Sequence, residues 1–146
     1  MNKAFSLIEL LVVISIIGII MALSLFGISN SRETARDATR KADLELIRGG
    51  LEIYKADCNR YPLASEVASS TPLEGTGTPS SCAIANIYIS SVPKDPLDSA
   101  RLYRYSRLTL TSYNICAALE KLPVPAMDVT GCASCGTTCN YKITNP

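Results

Sequence analysis

The chain contains no histidine and no tryptophan. Histidine is the commonest general base and the commonest imidazole metal ligand, so its absence removes histidine-activated serine or cysteine chemistry and histidine-bound metals. An excess of one charge is missing too. Fourteen Lys and Arg stand against 13 Asp and Glu, which leaves no strongly basic stripe to track nucleic acid, and no nucleic-acid partner is expected. Charge is also absent locally: none falls between Glu9 and Arg32, so residues 10–31 form a 22-residue uncharged stretch. About 20 apolar residues suffice to span a bilayer, whereas a cleavable secretory signal has an apolar core of about 7–15.

Cysteine, by contrast, is abundant. Six in 146 residues point to an oxidising, exported setting. The flanking charges point the other way. Lys3 alone precedes the apolar stretch, and Arg32, Arg36, Arg40 and Lys41 follow it, so a positive-inside count would hold the C-terminal part in the cytoplasm. The segment FSLIELLVV, residues 5–13, adds a further oddity in Glu9. A charge at the centre of a spanning helix costs about 2.5–3.5 kcal/mol even on lenient scales. Either Glu9 lies at headgroup level or a partner answers it.

Residues 29–58 read as an amphipathic continuation of the helix. Leu44, Ile47, Leu51, Tyr54 and Cys58 recur at three- and four-residue steps, the spacing of one helical face, and Ala35, Ala38 and Ala42 are expected to extend it. Arg36, Asp37, Arg40 and Lys41 are expected on the opposite, solvated face, with Asp37–Lys41 and Glu52–Lys55 as supporting pairs. Gly49-Gly50 is the weak point, at about 1 kcal/mol per Gly relative to Ala. No proline interrupts residues 5–57, and Pro62 is expected to end a helix about 80 Å long if continuous. Residues 64–86, rich in Ser, Thr, Pro and Gly, read as a long loop. Strands are expected within 87–91, 102–110 and 112–119, with a short one at 140–144, the middle two forming an antiparallel hairpin. The fold class is α+β. Tyr54 and Tyr61 read as core residues where helix meets head.

Cys132-x2-Cys135-x3-Cys139, with Cys116 upstream, has spacing that could close a zinc shell. The exported setting favours disulfides, for which six cysteines allow 15 connectivities. One option ties Cys82 in the loop to Cys58 at the helix end and leaves Cys116 with the three tail cysteines. Haem attachment would need His after the CxxC, and Gly136 stands there. Asp95 and Asp98 are weak calcium candidates that read more simply as turn residues between Pro93 and Pro96. Arg101, Arg104 and Arg107 read as a solvated strand face rather than a DNA contact. No cofactor is called for and no catalytic constellation is present.

The first 58 residues resemble the type IV pilin and pseudopilin superfamily. The resemblance rests on a short leader with Lys3, the small Ala4, then Phe5-Ser6-Leu7-Ile8-Glu9, a long apolar run and a charged amphipathic helix. It implies that a membrane-embedded prepilin peptidase cuts between Ala4 and Phe5 on the cytoplasmic side and methylates the new amino group of Phe5. The mature chain would then have 142 residues, 146 less the four of the leader. It also places the head outside, which overrides the charge count and agrees with the cysteines. The implied fold is that of type IV pilins: a long N-terminal helix packed on a small antiparallel sheet, here with a disulfide-rich C-terminal tail. The implied organisation is leader 1–4, membrane and filament-core helix 5–28, amphipathic helix 29–58, αβ-loop 59–86, and sheet head with cysteine-rich tail 87–146.

The head is more loosely similar to short pilins and to the major pseudopilin of type II secretion, through YKADCNRYP, VPKDPLD, YRYS and SYNICAALE. The chain departs from the pattern in having Ala4 where Gly is usual, Phe26 where many members have Pro, and a cysteine-rich tail in place of a calcium-binding loop. The resemblance assigns Glu9 the role of pairing with the Phe5 amino group of a neighbouring subunit. The expected function is that of a non-catalytic pilin polymerising into a type IV pilus or pilus-like filament. The alternative is a pseudopilin or minor subunit of type II secretion or DNA uptake. An uncleaved membrane-anchored module with a zinc or disulfide head is the more remote reading. The expected partners are further copies of the chain, prepilin peptidase, an inner-membrane assembly platform with its ATPase, and the lipid bilayer before assembly. The precursor is expected in the inner membrane and the filament in the periplasm or outside the cell.

Overall fold

The computed structural model describes residues 6–146; the expected cut between Ala4 and Phe5 lies outside them. Helix α1 spans Leu7–Cys58 and is shared between two compact units, one ending at Ala35 and the other running Arg36–Pro146. From Leu7 to Ala35 the backbone is helical without a break, including at Phe26. Its two hydroxyls in the apolar run are turned inward: Ser15 Oγ donates to the Leu11 carbonyl at 2.8 Å and Ser24 Oγ to that of Ile20 at 2.9 Å. Such back-bonding hides donors that lipid could not satisfy.

In the second unit α1 buries Asp37, Arg40, Leu44, Ile47, Leu51, Tyr54 and Cys58, an unbroken alternation of three- and four-residue steps. The alanine extension of the stripe is therefore wrong. Stepping back from Leu44 lands on Arg40 and Asp37, whereas Ala35, Ala38 and Ala42 are exposed. The face opposite the core carries Ala38, Ala42, Leu46, Gly49, Ile53 and Ala56, all exposed and none charged. The two glycines divide the same way. Gly49 opens on empty space, while a Cβ on Gly50 would collide with the Ile89 side chain, so Gly50 lets a strand lie against the helix. The helix ends at Cys58, the end expected for the amphipathic segment and four residues before Pro62. Asn59 adopts a left-handed conformation at φ 57° and donates its N–H to the Lys55 carbonyl at 2.9 Å, a helix-ending geometry that Asn tolerates.

The segment expected to be an irregular loop contains a short 3-10 turn, Ala64–Glu66, and a two-residue strand β1, Leu73–Glu74. Strand β1 pairs antiparallel with β2, Ile87–Ile89. Strands β3 (Arg104–Thr109), β4 (Ser112–Ala117) and β5 (Tyr141–Thr144) form a second antiparallel sheet in that order. Tyr105 stands opposite Ile115, and Ile115 opposite Ile143. One face of this sheet joins Leu44, Ile47, Leu51, Tyr54, Tyr61 and Leu73 in a single core. The fold is α+β, a long N-terminal helix on small antiparallel sheets.

Candidate functional site

Glu9 sits in the first turn of α1. Its Oε2 accepts the backbone N–H of Ser6 at 2.9 Å, while the Ser6 carbonyl accepts the N–H of Glu9 at 3.1 Å. The carboxylate thus caps the orphan donors and the positive end of the helix dipole, bonded to the amide that directly follows Phe5. Beyond it the apolar side chains stand open, from Leu7 at 80% exposure to Leu23 at 70%. The described residues contain one helix long and apolar enough to cross a membrane, and its apolar window has no buried residue. That surface requires a cover, either lipid or protein.

In the head, sequence reasoning missed a buried ionic node. Arg40 Nη1 donates to Asp37 Oδ1 and to Glu120 Oε1, each at 2.7 Å, and the Arg40 fork also holds Asp95. Arg36 donates through Nε and Nη2 to the two oxygens of Glu120 at 2.6 and 2.5 Å. Asp37 further accepts the backbone N–H groups of Glu120 and Lys121, each at 2.9 Å, so the Asp37–Lys41 pair gives way to Asp37–Arg40. Burial would raise the Asp37 pKa, but the Lys121 and Glu120 amides and Arg40 outweigh it and hold it low. Glu120 is pulled down to about 2, chiefly by its hydrogen bonds to Arg36 and then to Arg40 against some burial. Burial favours neutral Arg40, yet Asp95, Glu120 and Asp37 raise its pKa. The node fixes the turn at 93–98 and the start of the tail to α1. The three- and four-residue stepping back from Leu44 was the one signal that could have found it.

Glu52 does not pair with Lys55. It accepts the hydroxyls of Tyr61 at 2.9 Å and Tyr113 at 3.1 Å, and Lys55 lies over the Tyr61 ring at 4.8 Å.

The structure does not bring the calcium candidates together. Asp95 is buried against Arg40 and accepts the Leu97 N–H at 2.8 Å, whereas Asp98 is exposed beside Lys94 at 3.4 Å. Arg104 is exposed and Arg101 and Arg107 are half-buried, in keeping with a largely solvated face. Arg101, Arg104 and Arg107 each donate to a backbone carbonyl, those of Ala118, Ser134 and Tyr61, so all three are tied back onto the head.

Cys58 is bonded to Cys82, Cys116 to Cys132, and Cys135 to Cys139. The zinc alternative fails on this pairing, since all six sulfurs are consumed and a disulfide offers no thiolate. Cys58–Cys82 belongs to the main core; Cys116, Cys135 and Cys139 make a second cluster with Ala118. Because that cluster holds nothing larger than cysteine, sulfur is the tail's apolar filling.

Residues 1–25 match the family described as prokaryotic N-terminal methylation motif, and residues 27–118 match type II secretion system (T2SS), protein G. The type II secretion system core protein G of Aeromonas hydrophila is 30% identical over 96 residues, covering 65% of this chain and 67% of that protein. The protein of the same name from Klebsiella pneumoniae is 29% identical over 99 residues, 67% and 71% of the two chains. That of Escherichia coli K12 is 30% identical over 97 residues, 65% and 66%. The matched span is thus about two thirds of each relative's length, and no solved structure matches. The protein G match stops at Ala118, so three of the six cysteines lie beyond it. A methylation-type N-terminus, a membrane-length helix led by one carboxylate and a protein G match over most of the head have one meaning: the chain belongs to the type II secretion system protein G family.

Proposed function

We propose that this protein is a pseudopilin, a structural subunit that polymerises into the periplasmic filament of a type II secretion system. The carrying observation is the exposed, uncharged helix with Glu9 at its N-terminal end. In the precursor that helix lies in the inner membrane. Cleavage between Ala4 and Phe5 and methylation of the Phe5 amino group then create a cation beside the carboxylate. A buried carboxylate left alone costs several kcal/mol, and pairing with a cation offsets much of that. The Phe5 amino group of a neighbouring copy supplies such a cation, so Glu9 favours the assembled state. When the helix leaves lipid, other copies cover it, and the uncharged outer face of α1 from Ala38 to Ala56 offers them further apolar surface. Work comes from an assembly ATPase acting through the membrane platform.

The secretion-system names of the relatives support this alternative over the surface pilus that the N-terminal pattern first suggested. Mass spectrometry of the membrane-extracted chain is expected to show an N-terminus at methylated Phe5. Glu9→Ala is expected to insert and be processed yet give few filaments and little secretion. Normal filament yield from that variant would remove Glu9 from assembly. Long fibres of this subunit on the cell surface, with unchanged secretion in its absence, would favour a pilus instead.

A further inference from the structure

The segment joining β4 to β5 holds an apolar groove of about 350 Å³, lined by Leu122, Pro123, Val124, Met127 and Val129. Its walls are open: Leu122 is 76% exposed and Val124 95%. At the other end of the same sheet, the tip of the β3–β4 hairpin displays Leu108 at 57% and Leu110 at 59%. That tip is held firmly. The Tyr61 N–H donates to the Leu110 carbonyl at 3.0 Å, and the Thr109 and Ser112 hydroxyls bond each other at 2.7 Å.

Strand β4 separates the two surfaces. It starts at Ser112, beside the tip, and ends at Ala117, whose carbonyl accepts the N–H of Asn140, a residue that also lines the groove. Five steps of strand cover about 17 Å at 3.4 Å per residue, so a subunit cannot seat its own tip in its own groove.

We propose that the Leu108–Leu110 tip of one copy seats in the Leu122–Val129 groove of the next copy. Both surfaces are apolar, and the charges beside them are already engaged. Arg107 is turned back onto the Tyr61 carbonyl and Asp128 lies 3.4 Å from Lys142, so neither has to give up a partner when an apolar surface docks beside it. Unlike surfaces at opposite ends of a subunit make a heterologous contact, which repeats without closing and yields filaments. Each surface is on the order of a few hundred Å², below the roughly 800 Å² per partner of a stable complex. The contact therefore acts only where subunits are already held side by side at high effective concentration. A second copy within a filament meets that condition, which an exported protein passing by does not. The contact rests on the pseudopilin reading and adds to it a head-to-head joint.

The test places a photo-crosslinking benzoylphenylalanine at Leu110 of the full-length chain in secreting cells. A cross-link to a second copy within residues 122–129 is expected. Val124→Asp should lower its yield about tenfold, the equivalent of 1.4 kcal/mol, with thermal unfolding and disulfide pattern unchanged. Lys at position 110, introduced as Leu110→Lys together with Val124→Asp, should restore filament yield that either change alone reduces. Filaments that form while position 110 cross-links elsewhere, or to an exported protein, overturn the joint alone. Phe5 left unprocessed and no filaments from the unaltered chain overturn the pseudopilin reading and the joint with it.

Discussion

Arg40 meets Asp95 as a two-pronged fork inside the head. Its Nε donates to Oδ2 at 2.8 Å and its Nη2 to Oδ1 at 3.0 Å, and neither side chain has exposed surface. Such a pair gives little net stability over a well-packed apolar substitute, but removing one partner leaves the other charged in a dry site. Asp95→Ala is expected to lose about 3–5 kcal/mol. Arg40→Met with Asp95→Leu and Asp37→Asn should lose much less, since Glu120 keeps Arg36 and no lone ion remains. Chemical denaturation of the purified full chain in detergent compares the two.

The same node sets an acid limit. Glu120 titrates at about 2 against an ordinary 4.5, and Asp37 lies below its ordinary 3.8. A carboxylate held lower in the folded than in the unfolded chain adds stability above its unfolded value and loses it as pH falls towards the folded one. Melting temperature should therefore be steady near neutrality and drop between about pH 4.5 and 2. Glu120→Gln should flatten that drop.

Tyr61 sets an alkaline limit by the opposite route. Burial, and then the Glu52 carboxylate, push its phenol up to about 12 from 10. Its contribution is complete below pH 10 and disappears as pH rises through 12. Ultraviolet titration of phenolate should show a late-ionising tyrosine class, and Glu52→Gln should bring it forward.

The paired glycines should respond in opposite senses. Gly49→Ala fills open space on a helix and should stabilise by up to about 1 kcal/mol. Gly50→Ala drives a methyl into Ile89, and overpacking of this kind costs about 1–3 kcal/mol. Ile89→Ala in the Gly50→Ala background should recover part of the loss. Thermal unfolding of the three variants decides it.

Sequence reasoning saw α1 well, because Leu44, Ile47, Leu51 and Tyr54 announce a buried face by their apolarity. It misplaced Asp37 and Arg40 on the solvated face. Charge normally marks that face, and two of the three acids that neutralise Arg40 stand 55 and 80 residues further on. Strand β1 escaped notice because two residues carry no period, and its only signature is the burial of Leu73 against β2. Glu9 was conspicuous for the opposite reason, being the acid that opens a charge-free run. The number of cysteines suggested disulfides, but spacing could not choose the pairing. Partner choice depends on which loops the sheet brings together, and Cys132 lies nearer in sequence to Cys135 than Cys139 does.

The two outer bonds of the head make a fifth prediction. Cys58–Cys82 closes a separation of 24 residues and Cys135–Cys139 one of four. On chain-entropy grounds, replacing the first pair with serine should cost about 3 kcal/mol and the second about 2 or less. Denaturant midpoints of the two double variants should rank in that order.

The reach of Arg40 also sets a clock. Its last partner, Glu120, follows it by 80 residues in the chain, and synthesis at about 5–20 residues per second delays that partner by about 4–16 s. For those seconds Arg40, on the face of α1 meant for the head, has only Asp37, three residues before it, to answer its charge, beside leucines that have no sheet to cover them. The head can close only once the chain has been made past Glu120 and β5, so its folding follows synthesis instead of keeping pace with it.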